Sequence, residues 1–148
     1  MSLPNLLKDL WYGAEYHDFP GEELGMLTDD QRASAALALA AAERTATPID
    51  RLTDTVRDIE VADAFAIQRL QIDAKVHAGA TVRGYKVGLS SRAMQQMMGV
   101  DEPDFGHLLD DMFVFEGDAV PVANLCQPRV EFEVAFVLGE ALRGPGCT

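Results

Sequence analysis

Arg129-Val130-Glu131-Phe132-Glu133-Val134-Ala135-Phe136-Val137-Leu138 is the stretch on which the fold turns. Successive side chains of a strand point to opposite faces, so Glu131 and Glu133 share one face, with α carbons about 6.5 Å apart. Val130, Phe132, Val134, Phe136 and Leu138 take the other face. Ala135 and Val137 continue the glutamate face as apolar residues, which predicts a strand covered on both sides. Two carboxylates on a covered face repel each other and are costly to desolvate unless something positive compensates them. A hard divalent cation is the simplest compensation, because carboxylate oxygens suit Mg²⁺ or Mn²⁺. Spacing alone leaves a second reading open, in which the pair is solvent-facing or partners Arg129 and Arg143.

Upstream of that strand, Phe113 to Phe115 and Ala119 to Val122 read as a hairpin around Glu116-Gly117-Asp118, with Pro121 placing its second strand at an edge. Asp101 to Asp111, with Pro103 and Gly106, reads as a loop. Thr81 to Gly88 reads as a strand, after which Ser90 or Ser91 caps a short methionine-rich helix that closes at Gly99. Met94, Met97 and Met98 fall at helical spacing and read first as core, or as an apolar substrate wall. A helix over about Glu60 to His77 is expected, capped by Asp58 and ended by Gly79. Its apolar residues fall on two sides, Val61, Phe65, Ile72 and Val76 on one and Ile67, Leu70 and Ala74 on another, which predicts a sandwiched helix. Before it, Thr28 and Gln31 form a capping box for an alanine- and leucine-rich helix ending near Arg44, with Pro48 forbidding continuation. Residues 1–25 form an N-terminal extension of uncertain role, with at most a short helix near Leu6 to Trp11.

The chain has 148 residues, 48% of them hydrophobic, enough for one domain with a real core. Its net charge of −12, from 24 acidic and 12 basic residues, speaks against a nucleic-acid partner. No run approaches the roughly twenty apolar residues needed to span a bilayer, so no membrane partner is expected. Cys126 and Cys147 have no close Cys-x-x-Cys spacing and neither reads as catalytic. With no basic-then-apolar leader, a reducing cytoplasmic setting is expected.

The glutamate strand gains meaning beside three other blocks: Gly84-Tyr85-Lys86-Val87-Gly88-Leu89-Ser90-Ser91, the run Met94 to Gly106 with its Glu102-Pro103-Asp104-Phe105-Gly106 ending, and Leu108-Leu109-Asp110-Asp111-Met112. In order and spacing, together with Gln127-Pro128-Arg129 ahead of the glutamates, these resemble the 2-keto-4-pentenoate hydratase family of the fumarylacetoacetate hydrolase superfamily. The likeness is densest from Gly84 to Thr148, looser from Met26, and does not cover residues 1–25.

The resemblance implies an α+β fold in which N-terminal helices over 26–79 pack beside a mixed, rolled β-sheet. Residues 80–148 would supply the first part of the metal-binding β-roll, so the chain looks C-terminally truncated. It implies Glu131 and Glu133 as ligands of Mg²⁺ or Mn²⁺, with a third carboxylate from a later strand for which Glu140 is no good substitute. Lys86 would orient substrate or act as an acid, and Asp104 would position water or shuttle a proton. Read alone, Lys86 is a solvated charge and Asp104 a turn former. His107, a lone histidine beside a leucine pair, reads as structural. The implied reaction is hydration of 2-hydroxypenta-2,4-dienoate, or a related 2-hydroxydienoate, to a 4-hydroxy-2-oxo acid in the meta-cleavage degradation of aromatic compounds. A homo-oligomer is the implied assembly. The rival within the superfamily is a 4-oxalocrotonate decarboxylase, and the rival of another class is an inactive fragment that needs a complementary chain.

Overall fold

The computed structural model describes residues 26–140. The expected helix near Leu6 to Trp11, Arg143, Cys147 and the glycines at 144 and 146 lie outside the described residues. Helix α1 spans Asp29–Thr45 and begins as its sequence dictates: Thr28 Oγ1 accepts from Gln31 N at 3.3 Å, and Thr28 N donates to Gln31 Oε1 at 2.8 Å. Asp29 and Asp30 in the first turn and Arg44 in the last complement the helix dipole. Ala46, at φ 49°, ends the helix by sending its N–H back to Ala42 and Glu43. A single turn, α2 (Leu52–Thr55), lies on the return to α3 (Val61–His77).

The cap of α3 differs from expectation. Glu60 is the capping residue, whereas Asp58 lies outside the helix at φ 61°. Asp63, in the first turn, reaches back to Glu60 N at 3.1 Å and also ties α3 to the start of α1. Its Oδ1 accepts from Leu27 N at 3.3 Å and Arg32 Nε at 2.9 Å, and its Oδ2 from Met26 N at 3.1 Å. At the other end, Lys75 Nζ meets Glu43 Oε1 at 2.6 Å. Start therefore meets start and end meets end, so α1 and α3 run in the same direction. The core between them is Leu27, Ala35, Ala36 and Ile67, flanked by Leu39, Leu52, Val56 and Ile59. Each of the two apolar sides of α3 is covered in part: Ile72 is buried and Val61 exposed on one, Ile67 buried and Leu70 exposed on the other.

Strand β1 (Val82–Gly88) pairs antiparallel with β2 (Asp104–Leu109), joined through α4 (Arg92–Met98). Ser91 Oγ accepts from Met94 N at 3.3 Å, and Gly99 closes α4 at φ 74°. Met94, Met97 and Met98 are exposed, so they are not core. The expected loop over 101–111 is thus largely a strand. Pro103 stands just before its first residue and Gly106 within it, both positions a strand tolerates. The pair is tied at its open end by Asp110 N donating to Thr81 O at 2.9 Å and Thr81 N donating to Asp110 Oδ1 at 3.0 Å. It is fastened to α3 by Gln68, whose Nε2 donates to Phe105 O at 3.1 Å and whose Oε1 meets His107 Nδ1 at 3.3 Å.

After a 3₁₀ turn at Asp110–Met112 the chain is largely irregular, with a second 3₁₀ turn at Val122–Asn124. The expected hairpin over 113–122 is reduced to a turn in which Asp118 N donates to Phe115 O at 3.0 Å. Residues 129–138 form no strand, and Phe132 is 98% and Val137 99% exposed, against the expected cover on both faces. A strand exists only where neighbouring chain satisfies its N–H and C=O groups, and no described segment pairs with this one. The result is an α+β arrangement of helices beside a small antiparallel sheet, without a mixed or rolled sheet among the described residues. No described helix is long and apolar enough to cross a membrane.

Candidate functional site

The register of the hairpin sorts its residues onto two faces. Lys86 lies opposite Gly106 and Gly88 opposite Asp104, while Tyr85 lies opposite His107 and Val87 opposite Phe105. Lys86 and Asp104 therefore share a face as diagonal neighbours, a relation that sets α carbons roughly 7–8 Å apart. Gly84, Gly88 and Gly106 occupy the same face; Gly106, directly opposite Lys86, has open space above it, while Leu108 lies opposite Gly84 and Asp104 opposite Gly88. The need at Gly88 is specific. A Cβ there would stand 1.9 Å from Asp104 Oδ1 and 2.9 Å from its Cγ, so the carboxylate lies directly over the glycine.

Onto this face the irregular segment brings both glutamates. Lys86 Nζ donates to Glu131 Oε2 at 3.0 Å and to Glu133 Oε1 at 2.5 Å. Hydrogen bonding to Glu133 first, and then to Glu131, holds the Lys86 ammonium above its ordinary pKa of 10.5, so it is charged at neutral pH. All three side chains remain substantially exposed. Three of the four sequence-derived candidates thus meet at one point, and Asp104 stands beside them on the hairpin face.

The donor chemistry suits a hard cation only in part. Two carboxylates converging on one positive group are the right kind of ligand, and Mg²⁺ ordinarily keeps water or substrate oxygens as its remaining ligands. Among the described residues, however, no third His, Cys, Asp or Glu joins them. Glu140, at the far end of the segment, forms no described group with the pair. The two glutamates are thus an incomplete protein ligand set that water and substrate oxygens could fill.

Other titratable groups serve the scaffold. Burial alone would raise the Asp63 carboxyl, but hydrogen bonds from Glu60 N, Arg32 and Leu27 N outweigh it and hold the group below the ordinary 3.8. His107 is pushed below 6.5, chiefly by burial, between Gln68 and the Tyr85 ring at 5.2 Å. Cys126 is a free thiol whose Sγ donates to Ala42 O at 3.2 Å. Sequence reasoning missed the Arg32–Asp63 and Gln68–His107 ties. The only local signal was the Glu60-x-x-Asp63 spacing at the head of α3, and the partners are 31 and 39 residues away.

No family model matches the chain. Over 116 residues, 78% of its length, the chain is 45% identical to the 2-keto-4-pentenoate hydratase of Paraburkholderia xenovorans (strain LB400), covering 43% of that protein. It is 47% identical over 91 residues to the 2-oxo-hept-4-ene-1,7-dioate hydratase of Escherichia coli, covering 62% of this chain and 34% of that one. To the 2-hydroxypent-2,4-dienoate hydratase of Pseudomonas putida it is 45% identical over 105 residues, 70% of this chain and 46% of the relative. The chain thus spans less than half the length of these curated relatives. Among solved structures, it resembles 4-oxalocrotonate decarboxylase from Pseudomonas putida G7 complexed with calcium and acetate. That match has a TM-score of 0.57 and 31% identity over 59% of this chain and 34% of the other. The same enzyme complexed with magnesium and adipate matches with a TM-score of 0.54 and 32% identity, over 59% and 33%.

Proposed function

Since this chain belongs to the 2-keto-4-pentenoate hydratase family of the fumarylacetoacetate hydrolase superfamily, we propose that it carries part of the site of a metal-dependent hydro-lyase. The substrate is 2-hydroxypenta-2,4-dienoate or a related 2-hydroxydienoate, and the product a 4-hydroxy-2-oxo acid formed in the meta-cleavage degradation of aromatic compounds. The observation that carries the site is the convergence of Glu131 and Glu133 on one positive group, beside Asp104 on the hairpin face.

The chemistry needs the 2-hydroxyl proton lost and a proton delivered to carbon 5 of the dienol, then the hydroxyl of water added at carbon 4 and the proton of that water delivered to carbon 3. Glu131 and Glu133 would hold Mg²⁺ or Mn²⁺, which supplies Lewis-acid polarisation of the substrate's carboxylate and 2-oxygen when bound. Lys86 carries an ammonium whose ordinary pKa lies well above neutral, a poor proton donor and a strong anchor, so orientation of an anionic substrate suits it better than acid catalysis. Asp104 is the group on that face able to accept a proton from water and pass one to carbon 3 or carbon 5. Gly106, open above its backbone and opposite Lys86, lets a flat, conjugated acid lie close to the chain beside Asp104.

The likeness to the decarboxylase structures favours one second reading, loss of carbon dioxide from 4-oxalocrotonate at the same residues. Incubating the protein and Mg²⁺ with each substrate separates the two. Conversion of 2-hydroxypenta-2,4-dienoate to 4-hydroxy-2-oxopentanoate supports the hydratase, whereas carbon dioxide released from 4-oxalocrotonate without water addition overturns it. A homo-oligomer in a cytoplasmic setting completes the proposal. The exposed apolar side chains of residues 130–138 support self-association, which would cover them.

A further inference from the structure

Lys86 stands where a cation between Glu131 and Glu133 would be expected, with its ammonium 3.0 Å from one carboxylate and 2.5 Å from the other. We propose that Lys86 is an exchangeable place-holder: it bridges the two glutamates until a divalent cation arrives, and is released by that cation onto the face it shares with Asp104. The inference rests on the reading of Glu131 and Glu133 as metal ligands and adds an order of events to it.

Three observations carry the exchange. The glutamates lie on a segment with no strand partner among the described residues, and the bonds to Lys86 bring both of their carboxylates onto β1. Without a cation between them the two would repel. The bridge is also weak enough to give way, because all three side chains are well exposed and exposed ion pairs shift an equilibrium only severalfold each. Finally, Lys86 has somewhere to go. Gly106, opposite it on β2, leaves open space, and Asp104, its carboxylate over Gly88, lies diagonally across the ladder. Cation binding would thereby uncover the ammonium for the substrate's carboxylate, placing metal before substrate.

A simple strut makes the opposite prediction. If Lys86 only held the glutamates in place, its removal would loosen them and weaken the metal; if it competes, removal strengthens the metal. Mg²⁺ binding to the full chain is measured by titration calorimetry for wild type, Lys86→Met and Lys86→Arg. Lys86→Met should bind about threefold to tenfold more tightly, and Lys86→Arg, which keeps the charge, within about twofold of wild type. In parallel, the Lys86 Cε and Nζ NMR resonances of the unmutated chain should move in step with Mg²⁺ occupancy. Unchanged or weaker binding by Lys86→Met, or Lys86 resonances indifferent to bound Mg²⁺, overturns the exchange and leaves the metal site standing. No Mg²⁺ binding by wild type or either variant overturns both.

Discussion

Asp104 and Gly88 meet so closely that one methyl group separates a poised carboxylate from a displaced one. Gly88→Ala places a Cβ 1.9 Å from Asp104 Oδ1, and the short aspartate side chain can yield only by rotating away. The expected outcome is a folded protein with unchanged circular dichroism and a kcat lowered at least about tenfold, as for loss of a general acid or base. Asp63 illustrates a different kind of residue, fully buried and satisfied by four donors. Asp63→Ala removes the acceptor of three backbone N–H groups and of Arg32 Nε, leaving Arg32 only its pairing with Asp29 at 3.3 Å, so urea unfolding should show a loss of about 3 kcal/mol. The pH dependence follows from the same site. A carboxyl held below its unfolded value of 3.8 contributes stability that is present above that value and lost as the pH falls through the folded one. Acid unfolding below about pH 4 should therefore be shallower in Asp63→Asn than in wild type.

At the scale of elements, what could be read from sequence divides by the range of the interactions involved. The Thr28 to Gln31 box and the Ser91 and Gly99 caps are local, and α1 and α4 form where these residues place them. Thr28→Ala should cost about 1 kcal/mol in thermal or urea unfolding, the usual worth of such a cap. Helix α3 is capped two residues after Asp58 because Glu60 and Asp63 satisfy its first turn. Strand β2 was hidden by Pro103 and Gly106, which signal loops in isolation; pairing with β1 overrides them, and Gly106 is the residue that lies opposite Lys86. Residues 129–138 fail in the opposite sense. Their alternation is intact, but strand formation depends on a neighbour, and the pattern cannot reveal whether one is at hand. Contact of the glutamates with Lys86 was equally invisible, since 45 and 47 residues separate the partners. The link between the hairpin and α3 runs through His107, whose pKa is lowered by burial. Its folded state resists protonation, so stability is full above the unfolded value of 6.5 and declines as pH falls through it. Melting at pH 7.5 and 5.5 should show the lower midpoint at 5.5, with the difference reduced in His107→Gln.

Across the whole molecule, two properties pull against each other. The net charge of −12 keeps copies apart, while Val130, Phe132, Val134, Phe136 and Val137 present apolar surface to solvent. Salt should tip that balance toward association, because screening weakens repulsion between exposed charges and leaves apolar burial intact. Sedimentation velocity should show oligomers that increase with NaCl, and Phe132→Ser with Phe136→Ser should remove them; a monomer at every salt concentration would count against self-association. The same segment carries Glu131 and Glu133, so the surface that seeks cover and the pair that would hold a cation are one stretch of chain. Manganese binding read by electron paramagnetic resonance tests that pair most directly. Wild type should take up one Mn²⁺ per chain, and the Glu131→Gln, Glu133→Gln double variant should take up none at the same concentrations. Equal uptake by the two proteins would contradict the assignment of these glutamates as the centre of the site.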